Sequence, residues 1–428
     1  MKTKLNTDYI IFWLGQAVSQ LGSSMTSFAL TIWAYQQTKS AMAVSLMTFC
    51  SYLPYILVSI FAGAFIDRTS KKMILIISDT IAAVCTISVL INLSQGNLVL
   101  TQIYIVNAVV GFMNAFQSPA AAVVTGQLIT DGNYEKASGL NSFSSNLIMV
   151  TAPVLSGALV GFCGIRMVLT VDLLTFVFCM FTLVYVKLGK NPETSKAHKS
   201  RQKRNDREGI EFLKKELGIL YLMISLALIN FFSRLTYENI LTPMILARSG
   251  GDAGTLGLVN SMLGAGGIAG GIIVAAGKRK KNPCKMIYLS AVISFMFGDL
   301  LMGAGRNIFA WSAAGIFASL PIPFLMAGQN TLLYRMVPEH IQGRIFAIRN
   351  GIQFSTIPIG LLLGGYLADS VFEPFMSSEH AAAIFLQGIV GKGTGSGMAV
   401  MFLCTGILGA LSSVLGYKNS VKNLTRSA

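Results

Sequence analysis

Charge is what this chain has least of: 12% of its 428 residues are Asp, Glu, Lys or Arg, against about 25% in a soluble domain. A chain so short of charge cannot clothe a globular surface for water. Acid is scarcer still, with 18 acidic residues against 33 basic ones. The three histidines and six cysteines (Cys50, Cys85, Cys163, Cys179, Cys284, Cys404) are scattered, with no CxxC pair and no histidine near a cysteine at ligand spacing. No metal centre or dithiol redox pair is therefore expected, and the cysteines read as packing residues. HExxH and GxSxG are absent, which leaves an intramembrane hydrolase without its machinery. The Gly-rich GKGTGSG at 391–397 is not a nucleotide loop, because the Gly required five residues before Gly391 is missing and Lys392 precedes Gly393. No enzyme, no catalytic residue and no cofactor are expected.

What fills the space is apolar: 53% of residues are hydrophobic and the mean hydropathy is +0.62. Runs of roughly 20 apolar residues recur, each long enough to cross ~30 Å of hydrocarbon as a helix. Twelve spans are predicted, at 9–36, 41–66, 73–94, 98–124, 138–163, 167–187, 217–246, 254–277, 284–304, 307–333, 344–369 and 398–417. The first run is too long for a cleavable signal and lacks a small-residue cleavage site.

Basic residues test the count independently, since cytoplasmic loops hold the excess of Lys and Arg. With both termini cytoplasmic, 27 of the 33 fall on the cytoplasmic side and five (Lys39, Arg166, Arg248, Arg306, Lys392) outside, while Arg234 lies within a span. The formal net charge of +15 is thus a topology signal and an attraction to anionic lipid; nucleic acid is not an expected partner. The widest break in hydrophobicity, 188–216, is a basic cytoplasmic linker between an N-terminal six-helix bundle (1–187) and a C-terminal one (217–428). A solvated linker and a regulatory arm are both open readings of it.

The halves echo each other. GAFIDRTSKK (63–72) aligns with GIIVAAGKRK (271–280), matching Gly63 to Gly271 and Lys71-Lys72 to Arg279-Lys280, while Asp67 and Arg68 become alanines. Duplicated halves are a transporter architecture.

The turn G-x-x-x-D-R-x-x-K-K between the second and third spans resembles the signature loop of the major facilitator superfamily, and the resemblance covers the whole chain. Together with WLGQAVSQLGSSM (13–25), SPA (118–120) and VPEHIQGRIFAIRNG (337–351), it is most similar to the drug-efflux branch that includes macrolide exporters. ADSVFEP (368–374) and the Gly-rich loop also resemble exporters of peptide natural products. The resemblance implies an all-α membrane protein, twelve transmembrane helices in two pseudo-symmetric six-helix bundles. It departs on the fourth span, where the efflux branch often carries an Arg four residues before a Gly and this chain has Asn107 before Gly111. The antiporter pattern of the fifth span survives only as TAPVLSGALVG (151–161), with Pro153 and Gly157.

Residues follow from this reading. Gly63, Asp67, Arg68, Lys71 and Lys72 form a conformational latch, with Asp67 facing the N-terminal end of the third span and the lysines at lipid headgroups; the alternative is a turn that only sets topology. Intramembrane charge is costly, which makes each case a functional candidate. Glu238 and Arg234 stand four apart on one helical face with Asn230, so Glu238 is the leading proton-coupling candidate; a structural ion pair or a polar helix end is the alternative. Asp299 is a second proton candidate, deeper in the ninth span. Asp79 and Asp172 are expected to be structural, and Asp369 to mark a helix end. Gln16, Gln20, Ser23 and Ser27 form a polar stripe on the first span; Asn107, Asn114 and Ser118 form one on the fourth. These and Asn230 are expected to line a wet cavity, or to hydrogen-bond between helices.

The chain is therefore expected to be a secondary transporter in the cell membrane, exporting amphipathic small molecules by alternating access with protons as the coupling ion, and to work as a monomer. Export of a peptide-like product or siderophore is the second reading, and a non-transporting membrane sensor is a reading from another class.

Overall fold

In the computed structural model, residues 6–129, 134–186, 212–214, 216–277, 282–338 and 341–424 are described. Most of the basic linker, 187–211 and 215, lies outside them. Every regular element among the described residues is helical, as a lipid solvent demands, because a helix satisfies its backbone polar groups internally.

The first six helices are α1 (Thr7–Thr38), α2 (Ala41–Arg68), α3 (Lys71–Ser94), α4 (Leu100–Leu128), α5 (Tyr134–Cys163) and α6 (Ile165–Tyr185). There follow α7 (Leu217–Thr236), α8 (Leu241–Arg248), α9 (Ala253–Ala276), α10 (Pro283–Ile293), α11 (Leu300–Ala304), α12 (Ile308–Ser319) and α13 (Ile322–Met336). The chain closes with α14 (Gln342–Leu367), α15 (Glu373–Met376), α16 (Ala381–Val390) and α17 (Ser396–Leu424). Several of these are pieces of one span: α7 with α8, α10 with α11, α12 with α13, and α14 with α15. Among the described residues, eleven spans are long and apolar enough to cross a membrane. The twelfth crossing is α1, whose 32 residues carry the Gln16, Gln20, Ser23 and Ser27 stripe that dilutes its hydropathy.

The helices sort into two compact units. One comprises Met1–Gln37 with Leu46–Lys203; the other comprises Arg204–Ala428 together with Thr38–Ser45, so the turn between α1 and α2 and the first residues of α2 belong to the second unit. In the first unit a buried cluster gathers Tyr9 and Phe12 of α1, Ile66 of α2, Leu75 of α3, Val124 of α4 and Leu183 of α6. In the second, Leu222 and Leu226 of α7 pack with Ile287 and Tyr288 of α10 and Leu332 of α13.

Apolar pressure between helices is absent in lipid, so close approach depends on small residues. The Gly-rich α9 uses alternate faces accordingly. A methyl on Gly270 would overlap Leu320 O and stand 3.0 Å from Leu320 C, whereas Gly271 has open space around it. Gly270→Leu is expected to lower the thermal-unfolding midpoint in detergent, because overpacking costs about 1–3 kcal/mol, while Gly271→Leu leaves it in place. Equal midpoints for the two variants would refute this packing role.

Several helix ends are tied down by polar side chains. Asp252 starts α9 by accepting from Gly254 N (2.9 Å), Thr255 N (3.1 Å) and Thr255 Oγ1 (2.5 Å). The Thr255 hydroxyl bond, with the two amides, holds its carboxyl below the ordinary value, as hydrogen bonds to a charged form do. Two arginines from predicted outer loops cap α16: Arg306 donates to Gly388 O (2.6 Å) and Ile389 O (3.0 Å), and Arg248 donates to Val390 O. Glu373 receives Gly395 N (3.3 Å) and Met398 N (3.1 Å), which fixes the Gly-rich turn before α17.

Candidate functional site

The polar residues of the first unit converge on two buried carboxylates. Asp79 of α3 accepts from Gln117 Nε2 of α4 at 2.5 Å, and Cys179 Sγ of α6 lies 3.7 Å from its other oxygen. Gln16 of α1 completes the chain by donating to Cys179 Sγ at 3.2 Å. Asp172 of α6 accepts from three hydroxyls on two other helices: Thr26 (3.0 Å) and Ser23 (3.3 Å) of α1 and Thr86 (3.0 Å) of α3. Both carboxylates hold helices together, in keeping with a structural role. Of the α1 stripe, Gln16 and Ser23 are thus engaged in interhelical hydrogen bonds, while Gln20 is exposed. On α4, Asn107 donates to its own helix at Ile103 O (3.0 Å) and Asn114 is exposed. Asn230 likewise bonds its own helix, at Leu226 O (3.1 Å).

The second unit holds the chemically more open arrangement. Its seventh span does not run straight: the helix stops at Thr236, turns through Tyr237–Ile240 and restarts at Leu241. Pro243, in the first turn after the break, cannot donate to the Asn239 carbonyl and is the local signal for it. Glu238 stands on the turn and pairs through Oε1 with Arg234 Nη1, both side chains being partly buried. Glu238 Oε2 is buried without a hydrogen-bond partner. One carboxylate oxygen is thus neutralised by the guanidinium and the other is left buried without a donor.

Tyr237, the residue beside it, leads to Asp299. Its ring packs edge-on to Phe402 at 5.2 Å, and its buried hydroxyl faces the Asp299 carboxylate. Asp299 is wholly buried and accepts from Thr405 Oγ1 of α17 at 2.8 Å. It closes a π-helical turn, Ser294–Asp299, between α10 and α11; such turns recur at functional sites. Tyr237 escaped the sequence reading, and its place next to Glu238 was the available signal.

The turn at Tyr237–Ile240 also meets the start of α2. Asn239 is bonded to Ser45 Oγ and donates Nδ2 to Leu361 O of α14 at 2.5 Å. Within the π-helical turn that follows α14, Asp369 receives Ser40 Oγ (2.5 Å), Ala41 N (3.0 Å) and Met42 N (2.9 Å). Its carboxylate therefore caps α2, satisfying amides that a helix start leaves unpaired. This corrects the expectation that Asp369 marks a helix end: the span continues through Ala368–Phe372 into α15. The close fit depends on Gly365, where a methyl would overlap Ser45 Oγ and stand 2.8 Å from Met42 Cα. Gly365 and Asp369 repeat the spacing of Gly63 and Asp67.

Two members of the expected latch, Asp67 and Lys72, sit at helix ends. Asp67 lies in the last turn of α2, ahead of Ser70 and the start of α3; the helix runs two residues past the predicted end of the span at 66. The side chains of Gly63, Asp67 and Arg68 lie outside the described residues. Lys72 is directed to protein rather than lipid, donating to Val184 O (3.1 Å) and Val186 O (2.8 Å) at the end of α6, where a cation complements the helix dipole. Lys71 is the first residue of α3.

A family model described as Major Facilitator Superfamily matches residues 12–360. The chain belongs to that superfamily. Macrolide efflux protein A of Streptococcus pyogenes is 24% identical over 368 residues, covering 85% of this chain and 90% of that one. The Staphyloferrin A transporter of Staphylococcus aureus is 22% identical over 368 residues (85% and 88%), and the multidrug efflux pump Tap of Mycolicibacterium fortuitum is 20% identical over 376 (82% and 86%). The fold matches a solved bacterial metal transporter with a TM-score of 0.67 at 13% identity, over 98% of this chain and 99% of the other. The major facilitator fold with its twelve crossings, and membrane transport of a small molecule, are accordingly properties of this superfamily member.

Proposed function

We propose that this superfamily member exports amphipathic small molecules, macrolide-like compounds or other drugs, across the cell membrane by alternating access in exchange for protons. The observation that carries the coupling is the Arg234–Glu238 pair on the broken seventh span, with Glu238 Oε2 buried and unpartnered. Broken helices are where transporters concentrate polar backbone and ion sites. Glu238 takes and releases the proton, Arg234 holds the charged form, and Asp299 with Tyr237 forms a second acid within the same unit. Efflux of amphipathic compounds is favoured by the similarity to a macrolide efflux protein and a multidrug pump, at 24% and 20% identity. The 22% identity to a siderophore transporter supports a second reading, export of a siderophore or peptide-like product by the same mechanics.

Alternation then needs a device at each membrane face. Asp369 clamps the start of α2 within the second unit in the observed state, and the equally spaced Gly63 and Asp67 serve the opposite face. Both termini are cytoplasmic in this reading, which follows the bias of basic loops, and the working unit is a monomer.

Reconstituted into proteoliposomes, the protein is expected to accumulate a macrolide or cationic dye against its gradient when a pH difference is imposed, and to stop when the difference is collapsed. Accumulation that ignores the pH difference would overturn proton exchange. Movement of siderophores or peptides with no movement of macrolides or dyes would select the second reading.

A further inference from the structure

A cleft of about 490 Å³ opens in the second unit between α10 and the junction of α12 with α13. One wall is a single stripe of α10 and its N-cap: Asn282, Lys285, Leu289 and Ile293 recur at the three- and four-residue intervals that put side chains on one helical face. The other wall exists because α12 stops at Ser319 and α13 starts at Ile322. At that break Pro321, which cannot donate a backbone hydrogen bond, and Phe324 line the cleft.

The cleft is polar at one end and apolar along its length. Asn282 and Lys285 stand at the end of the span, and Leu289 and Ile293 lead inward. Asn282 to Ile293 is eleven residues, about 16 Å of helix at 1.5 Å per residue, close to half of a ~30 Å hydrocarbon core. That is the depth of one lipid leaflet. Leu289 is 50% exposed and neighbouring Ile322 46%, so the groove is continuous with apolar surface.

Lys285 is the charged residue in the lining, and the sequence on either side of it carries charge of one sign. Between Asp252 and Asp299 the sequence contains no acidic residue, while Lys278, Arg279, Lys280, Lys281 and Lys285 are all basic. We propose that this cleft is a binding site for one anionic phospholipid, its phosphate at Lys285 and Asn282 and one acyl chain laid along Leu289, Ile293 and Phe324. Basic pockets between transmembrane helices are known to take anionic headgroups. The length match decides for a lipid over a free phosphate, and the Lys285 end decides for an anionic one over a zwitterionic one. This assignment does not rest on the transport reading.

The test uses the full chain in detergent with phosphatidylglycerol or phosphatidylcholine of the same chain length, reading the lipids retained by native mass spectrometry and the thermal-unfolding midpoint. Phosphatidylglycerol is expected to leave one saturably bound copy and to raise the midpoint more than phosphatidylcholine does, with glycerol phosphate raising it not at all. Lys285→Ala should weaken phosphatidylglycerol binding about fivefold, the effect of one Lys near an anionic surface, whereas Lys285→Arg should keep it. Leu289→Trp, which fills the cleft, should remove the bound copy while leaving both ends of the site intact. Equal retention of the two lipids would overturn the proposal. So would a response that survives Lys285→Ala and Leu289→Trp but disappears when residues 278–281 are all changed to Gln, because diffuse attraction to the basic loop would then explain it.

Discussion

Glu238→Gln is expected to abolish pH-driven accumulation of substrate while leaving substrate exchange at equal pH intact. A gradient of one pH unit, worth about 1.4 kcal/mol per proton, sustains about tenfold accumulation of an uncharged molecule exchanged for one proton. Glutamine has nearly the same shape as glutamate and keeps an acceptor for Arg234, so the turn at Tyr237–Ile240 retains its geometry; it has no titrating group. The accumulation ratio should therefore fall to about one, with counterflow preserved. Accumulation at the wild-type ratio would remove Glu238 from the coupling. Loss of both accumulation and counterflow would make the Arg234–Glu238 pair a structural brace. Asp299→Asn in the same assay separates the two acids: loss of coupling there alone would move the proton to the carboxylate held by Thr405 Oγ1.

The contrast between these acids shows what was legible in the sequence. Spans, their number and the superfamily were readable because each needs only composition, length or a local motif. The pairing of Arg234 with Glu238 was readable too, since a four-residue spacing on a helix is local. The break between α7 and α8 has a local signal in Pro243, which cannot donate to Asn239 O, but its geometry is set by Ser45 and Leu361, both far away in the chain. For Gln16 and Ser23 the sequence leaves a wet cavity and interhelical hydrogen bonds both open, and the structure has them reach Cys179 and Asp172. A polar stripe announces polar neighbours, whether water or carboxylates, and only the partner helix decides which. Asp369 was misjudged for a related reason: a π turn lets the chain stay helical through ADSVF, where composition suggests an end.

Asp369→Asn is expected to release the clamp on α2 and shift the balance between access states. The carboxylate receives Ser40 Oγ, Ala41 N and Met42 N, and a hydrogen bond to a charged acceptor contributes about 1.5–3 kcal/mol. Asparagine offers one acceptor oxygen and presents an NH₂ group to donors, so at least one such bond is lost and the clamped state falls by roughly ten- to a hundredfold. Ala41 is fully buried here, which makes Ala41→Cys, in a background with the six native cysteines replaced, a reporter of release. A membrane-impermeant maleimide should label it at least about tenfold faster when Asp369→Asn is added, a change of ~1.4 kcal/mol per decade. Asp67→Asn should slow the same labelling, since loosening the opposite face favours the state in which Asp369 stays bonded. Labelling that is indifferent to both substitutions would sink the paired-clamp mechanism and leave Gly365 and Asp369 as packing alone. Labelling that rises in both would mean that the two acids hold the same state, and that the repeated G-x-x-x-D spacing reflects shared helix packing rather than opposed gates.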